Sequence, residues 1–292
     1  YKTENMVRKN AKKSSYQKSN LKDKETQFEM LKKYELSFSS HEKLFNYAKK
    51  NRIDYIASPF DVESYHFLND LKPKLIKIGS GEITNYFLLK EISKFKGEIV
   101  LSTGMSNINE IKEAIKVLKK KNNNLTLLYC CSSYPTKIQD IDLNIMINLK
   151  KKFNCEVGLS DHTMGIGVPV ASVAFGAQII EKHFVMDRSD KTADSFFSST
   201  PEEFKLLVDS VRTVEKAIGT VNYPHTESEP KRCLIVTNNI IKGELLSIKN
   251  IKSLRPGGGI EPKYFDQIID KYSATRDMLK GTLLQWDMVR LK

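Results

Sequence analysis

The stretch "EVGLSDHTMGIGVPVASVAFGAQIIEKHFVMDR" (156–188) decides the architecture. It holds two short apolar runs, "EVGLS" and "QIIEK", and each leads into a histidine, His162 and His183. Only five histidines occur among the 292 residues, so two in equivalent places call for a reason. Near-continuous apolar runs mark strands buried on both faces, as in parallel sheets.

The same pattern recurs upstream. Apolar, β-branched runs occur at 53–60 ("IDYIASPF"), 74–80 ("KLIKIGS"), 98–104 ("EIVLSTG") and 125–132 ("LTLLYCCS"), besides 156–162 and 178–184. Segments of helical spacing fill the gaps. In one, Ile108, Ile111, Ile115 and Leu118 share a stripe. In the last, Thr200 is placed to cap, Pro201 suits the first turn, Glu203 completes a capping box, and Gly219 ends the helix. Phe204, Leu207, Val211, Val214 and Ile218 form its stripe. Six strand–helix units in series predict an α/β architecture. No G-x-G-x-x-G or G-x-x-x-x-G-K-[ST] follows a strand, which excludes the usual dinucleotide and P-loop signatures.

Polar groups gather at the C-terminal ends of these runs: Ser58; Lys77, Ser80 and Glu82; Ser102 and Thr103; Ser132 and Ser133; Ser160, Asp161 and His162; Lys182 and His183. In a (β/α)₈ barrel all strand ends meet at one mouth. The barrel is therefore favoured over a doubly wound sheet, although six strands are found and not eight. Residues 1–219 read as the barrel domain, 220–230 as a polar linker and 231–292 as a small β-rich module with "KGE" and "PGGG" turns.

Composition narrows the function. The net charge is +12, with much of the excess before Lys50. That fits a solvated face, or attraction to a phosphorylated substrate. Zinc-finger and RNA-binding signatures are missing, so no nucleic-acid partner is expected. No apolar run reaches the roughly 18–20 residues of a membrane span. Cys130, Cys131, Cys155 and Cys233 form no disulfide framework. A cytoplasmic protein without a membrane partner is expected.

His162 and His183 have two readings: a hydrogen-bonded structural pair, or ligands of a borderline divalent ion such as Mn²⁺, Fe²⁺ or Zn²⁺, with Asp161, Glu181 and Asp187 nearby. "IKIGSGEITN" (76–85) reads as an anion site, with a Gly-Ser-Gly turn and Lys77 as a point charge. "LSTGMS" (101–106) repeats the hydroxyl-rich theme. Cys130 and Cys131 read as small core residues.

The motifs "SPFD", "KIGSGEITN", "LSTGMS", "CCSSYPT", "GLSDHTMGI", "EKHFVMDR", "KGELL" and "RPGGGI" occur in this order. The chain thereby resembles the sialic acid synthases and their legionaminic and pseudaminic acid synthase relatives over nearly its whole length. The resemblance implies a (β/α)₈ barrel followed by an antifreeze-like (SAF) domain, in a domain-swapped homodimer. It implies a transferase that condenses phosphoenolpyruvate with an N-acylated mannosamine-type sugar to a nonulosonic acid. By the same resemblance His162 and His183 hold Mn²⁺, with Mg²⁺ or Co²⁺ as substitutes. Ser58, Lys77, Ser80, Ser102, Ser132 and Ser160 contact phosphoenolpyruvate. Glu82, Tyr134, Glu181 and Asp194 fall on the sugar side or at catalytic positions, Glu82 and Lys77 being the catalytic pair. Arg255 reaches the partner's site. Two departures stand out. The family's first two strands, one of the type "AEIG-NHNG" and a second ending in "KFQ", are expected before Tyr1, so a barrel short of two strands is expected, with a truncated, non-catalytic homologue acting only through dimerisation as the alternative. And "DKTADSFFSSTPEEF" replaces the family's "PGPDH-AS" run, which leaves the sugar open.

Overall fold

A computed structural model of the chain describes residues 1–21, 24–119, 124–190, 192–221 and 231–292. Two units emerge, Tyr1–Gly219 and Thr220–Lys292. Most of the expected linker, 222–230, lies outside the described residues.

The first unit opens with helices α1 (Thr3–Met6), α2 (Ser15–Leu21), α3 (Gln27–Tyr34), α4 (Phe38–Lys50) and α5 (Val62–Asp70). Strands and helices then alternate: β1 (Leu75–Ile78), α6 (Tyr86–Ile92), β2 (Glu98–Ser102), α7 (Ile108–Leu118), β3 (Leu125–Cys130), α8 (Asn144–Phe153), β4 (Glu156–Asp161), α9 (Gly167–Ala174), β5 (Ala177–Lys182) and α10 (Pro201–Ile218). The five strands pair in parallel in the order β1-β2-β3-β4-β5. Sequential parallel pairing with a helix after every strand is the build of a (β/α) barrel. Five staves are present among the described residues, and the sheet is open.

One expected strand is not formed. Residues 53–60 pair with no strand among those described. Pro59 brings no N–H, and Ile53 and Ile56 lie exposed, whereas a central parallel strand has both faces covered. The stretch still sits beside the site, because a Cβ on Gly79 would touch the Phe60 ring at 3.5 Å.

Register explains the two faces of the sheet. Ile76, Ile78, Ile99, Leu101, Leu125, Leu127, Tyr129, Val157 and Leu159 point to the helices and form the main core. Alternate residues point the other way: Lys77 opposite Val100, Ser102 opposite Leu128, Cys130 opposite Ser160 and Ser160 opposite Glu181. The sheet is rolled. Laid flat, five strands would set β1 and β5 about 19 Å apart, yet Lys77 Nζ of β1 lies 3.3 Å from Glu181 Oε2 of β5.

The helices follow their sequence signals. Thr200 accepts from the Glu203 N–H and completes the expected capping box, with Pro201 in the first turn and Gly219 at φ 54° closing α10. On α7, Ile111, Ala114, Ile115 and Leu118 are buried while Ile108 is exposed. On α10 only Leu207 is fully buried, so its expected stripe is partly open.

The second unit pairs β6 (Cys233–Val236) with β7 (Ile251–Leu254) and β8 (Tyr272–Ala274) with β9 (Val289–Leu291), both antiparallel, and carries a short helix, α11 (Phe265–Ile268). Its core is built on Leu234, Val236, Ile240, Leu246, Ile251, Ile260 and Leu284. The "KGE" turn places Gly243 at φ 87°, a region that favours glycine.

Candidate active site

The strand ends converge as the barrel reading expects. Gly104, just past β2, is wedged between its neighbours. A Cβ there would lie 2.3 Å from Ser132 Oγ, 2.9 Å from Cys130 Sγ and 3.2 Å from Ser80 Oγ. Three strand ends therefore share one small polar cradle. Lys77 is buried beside it, donating to the Ile78 carbonyl at 3.3 Å. Glu181 Oε1 accepts from the Ser160 hydroxyl at 2.7 Å, so Glu181 links Ser160 to Lys77. Ser102 is buried on the same face, and its Oγ finds no hydrogen-bond partner among the described residues.

His162 and His183 stand side by side at the ends of β4 and β5. Their ring centroids are 5.2 Å apart and inclined at 61°. Tyr134 packs on His162 at 4.4 Å, and Phe197 on His183 at 4.9 Å. His162 Nδ1 lies 2.9 Å from the Cys131 carbonyl. A carbonyl only accepts, so Nδ1 carries the proton and Nε2 keeps its lone pair. Burial pushes both imidazoles below their ordinary pKa, which keeps them neutral. Two neutral imidazoles, one oriented through its second nitrogen by a backbone carbonyl, are a donor set suited to a borderline divalent ion.

Of the carboxylates expected near the pair, Asp161 faces Lys182, Glu181 faces Ser160 and Lys77, and Asp187 accepts from the Ser189 N–H in a surface turn. Asp161 and Glu181 remain within electrostatic reach of His162, and Asp194 approaches as well. Its Oδ2 lies 3.9 Å from His183 Nδ1, and its buried Oδ1 has no partner among the described residues. Burial pushes its pKa up. It is brought there by pairing after β5, where the Ser199 N–H donates to the His183 carbonyl and the Val185 N–H to the Ser199 carbonyl. Among the described residues, no group of three or more His, Cys, Asp or Glu side chains is arranged for a metal. The imidazole pair is thus a two-residue donor set.

Glu82 sits in the helical turn after β1. Asn85 donates to it at 2.7 Å, but burial outweighs that bond and raises its pKa. Ser58 is half-buried in the unpaired 53–60 stretch, and no described hydrogen bond ties it to the cluster. Arg255 belongs to the second unit, just after β7. Cys130 is buried, as expected of a small core residue, but it lies on the cradle face, 3.8 Å from Ser132 Oγ and 4.0 Å from His162 Nδ1. The period-two alternation of "LTLLYC", with Leu128 and Cys130 on one face, was the signal for that placement.

A rolled parallel sheet with a polar cradle and an imidazole pair at its C-terminal mouth is the architecture of a (β/α)-barrel enzyme. The model of the NeuB family matches residues 1–223, and that of the SAF domain residues 231–290. The chain belongs to the NeuB family and carries a SAF domain. It is 39% identical to the N,N'-diacetyllegionaminic acid synthase of Campylobacter jejuni, over 98% of this chain and 88% of that one. It is 37% identical to the pseudaminic acid synthase of the same organism, over 92% and 80%. Among solved structures, an N-acetylneuraminic acid (sialic acid) synthetase from Leptospira borgpetersenii in complex with citrate superposes with a TM-score of 0.66 at 33% identity, over 69% of this chain and 71% of that one. No described helix is long and apolar enough to cross a membrane.

Proposed function

We propose that the protein is a nonulosonic acid synthase that condenses phosphoenolpyruvate with an N-acylated mannosamine-type sugar and releases phosphate. The observation that carries this reading is the pair of neutral imidazoles, His162 and His183, 5.2 Å apart beside the cradle of Lys77, Ser80 and Ser132. Its synthase relatives support the same reading.

Lys77 and the hydroxyls of Ser80, Ser102, Ser132 and Ser160 hold the phosphate and carboxylate of phosphoenolpyruvate. Among the described residues, the Ser102 hydroxyl has no other partner. Ser58 adds a contact from the 53–60 stretch. When bound at His162 and His183, a divalent ion, Mn²⁺ in the first instance and Mg²⁺ or Co²⁺ as substitutes, supplies Lewis-acid polarisation of the open-chain sugar's aldehyde. The methylene carbon of phosphoenolpyruvate attacks that aldehyde, a carbon–carbon bond forms, and the aldehyde oxygen takes a proton. Water adds at the resulting cationic carbon and gives up a proton. The bond from that carbon to the phosphate oxygen then breaks as the new hydroxyl becomes the keto group, its proton leaving with the phosphate. Glu82 and Asp194, both pushed up in pKa by burial, take and return the protons. Tyr134 and Glu181 line the sugar side. Arg255 of a second subunit completes the pocket in a homodimer. Much of the rate comes from positioning.

Phosphate release with phosphoenolpyruvate, Mn²⁺ and N-acetylmannosamine or other N-acylated hexoses tests the reading. Release is expected, is abolished by EDTA and returns with Mn²⁺. No release with any N-acylated hexose refutes it.

A further inference from the structure

Directly before the two imidazoles stand Asp161 and Lys182, the last residues of β4 and β5. They turn away from the cradle face and meet behind it. Lys182 Nζ lies 2.6 Å from Asp161 Oδ2 and donates to the Thr163 carbonyl at 2.8 Å. Asp161 Oδ1 accepts from the Thr163 N–H at 3.0 Å and the Thr163 hydroxyl at 2.8 Å. Their side chains are 0% and 2% exposed for Asp161 and Lys182. The residues on both sides of His162 are thus tied to the residue before His183.

Stability alone is a poor reason for such a pair. Removing two charges from water costs nearly what their attraction returns, and apolar residues of similar volume often serve as well. Register is a better reason. The β4–β5 ladder slips between Val157, opposite Ala177, and Leu159, opposite Ile180. Past the slip, Ser160 faces Glu181 and Asp161 faces Lys182. In the unslipped register Asp161 would stand opposite Glu181, a repulsive pairing of carboxylates, and Glu181 would point away from the cradle. A one-residue slip turns every following side chain to the other face. The ion pair is satisfied in one register only.

We propose that Asp161 and Lys182 are a positioning pair: by fixing the slipped register they set the spacing and facing of His162 and His183 for one divalent cation. The proposal rests on the metal reading of those imidazoles. Partners that orient ligands are commonly worth about 10–100-fold in metal affinity.

Titration of the protein with Mn²⁺ alone, followed by calorimetry, tests it alongside thermal melting. Wild-type binding that His183→Ala removes upholds the metal site. Lys182→Met is expected to bind Mn²⁺ about 10–100-fold more weakly. Should that variant fold poorly, the charge-free double variant Asp161→Asn/Lys182→Met carries the test. Its melting temperature is expected to return toward wild type while Mn²⁺ binding stays weak. A purely structural pair predicts that the two recover together. Affinity within twofold of wild type in the folded double variant overturns the positioning role and leaves the metal site standing. No Mn²⁺ binding by the wild type, or binding indifferent to His183→Ala, overturns both.

Discussion

Gly104→Ala probes the cradle most directly. The added methyl would sit 2.3 Å from Ser132 Oγ, 2.9 Å from Cys130 Sγ and 3.2 Å from Ser80 Oγ, well inside contact distance. Two of these atoms are hydroxyls at the ends of short side chains. Rotating them relieves most of the overlap, so the folding cost falls at the low end for overpacking, about 1 kcal/mol. For a unit of this size that is about 2–4 °C in melting temperature. The ligand suffers more, because relief turns Ser132 and Ser80 away from the anion. A hydrogen bond to a charged group contributes about 1.5–3 kcal/mol, so losing even one raises the KM for phosphoenolpyruvate about 10–100-fold. The assay is phosphate release at varied phosphoenolpyruvate, with melting in parallel. Gly167→Ala, at the start of α9 with no atom within 4 Å of its added methyl, is the control and leaves melting unchanged or slightly raised. A folded Gly104→Ala protein whose KM stays within twofold of wild type refutes the cradle.

Ser102→Ala removes a buried hydroxyl without a partner among the described residues. Relief of its desolvation cost raises the melting temperature of the ligand-free protein, while the KM for phosphoenolpyruvate rises; scanning calorimetry and kinetics read the two opposite effects. Glu35 offers a pH test: burial pushes its carboxyl up, but the Thr3 hydroxyl and N–H and Lys32 win and hold it down at about 2. A folded pKa below the ordinary 4.5 means its contribution is whole above pH 4.5 and is lost as pH falls toward 2. Between pH 5 and pH 3 the wild type therefore loses more urea resistance than Glu35→Gln; equal losses refute the assignment.

What the sequence disclosed is mostly what local chemistry controls. Runs such as "LTLLYC" and "EVGLSD" became strands because alternate residues pack into the main core while those between them are buried on the cradle face. Thr200, Pro201 and Glu203 start α10 because the cap is a contact within four residues. Residues 53–60 misled because a strand needs a neighbour, and composition names no neighbour. Asp161 was half legible. It adjoins His162, as its place after an apolar run implies, and period two from Val157 and Leu159 turns its side chain away from the cradle; the slip, which depends on long-range pairing, sets instead the faces of Glu181 and Lys182. Asp194 is brought to His183 by a backbone bridge between Phe184 and Ser199, which no local motif announces.

The contact between Lys77 and Glu181 has a consequence for selectivity. The lysine does not wait bare; a tethered carboxylate already answers its charge at high local concentration. An incoming singly charged carboxylate only exchanges like for like with this internal rival. A phosphate, with more charge and more acceptor oxygens, gains on the exchange. On the phosphoenolpyruvate reading, Glu181 is expected to set a minimum charge density for entry.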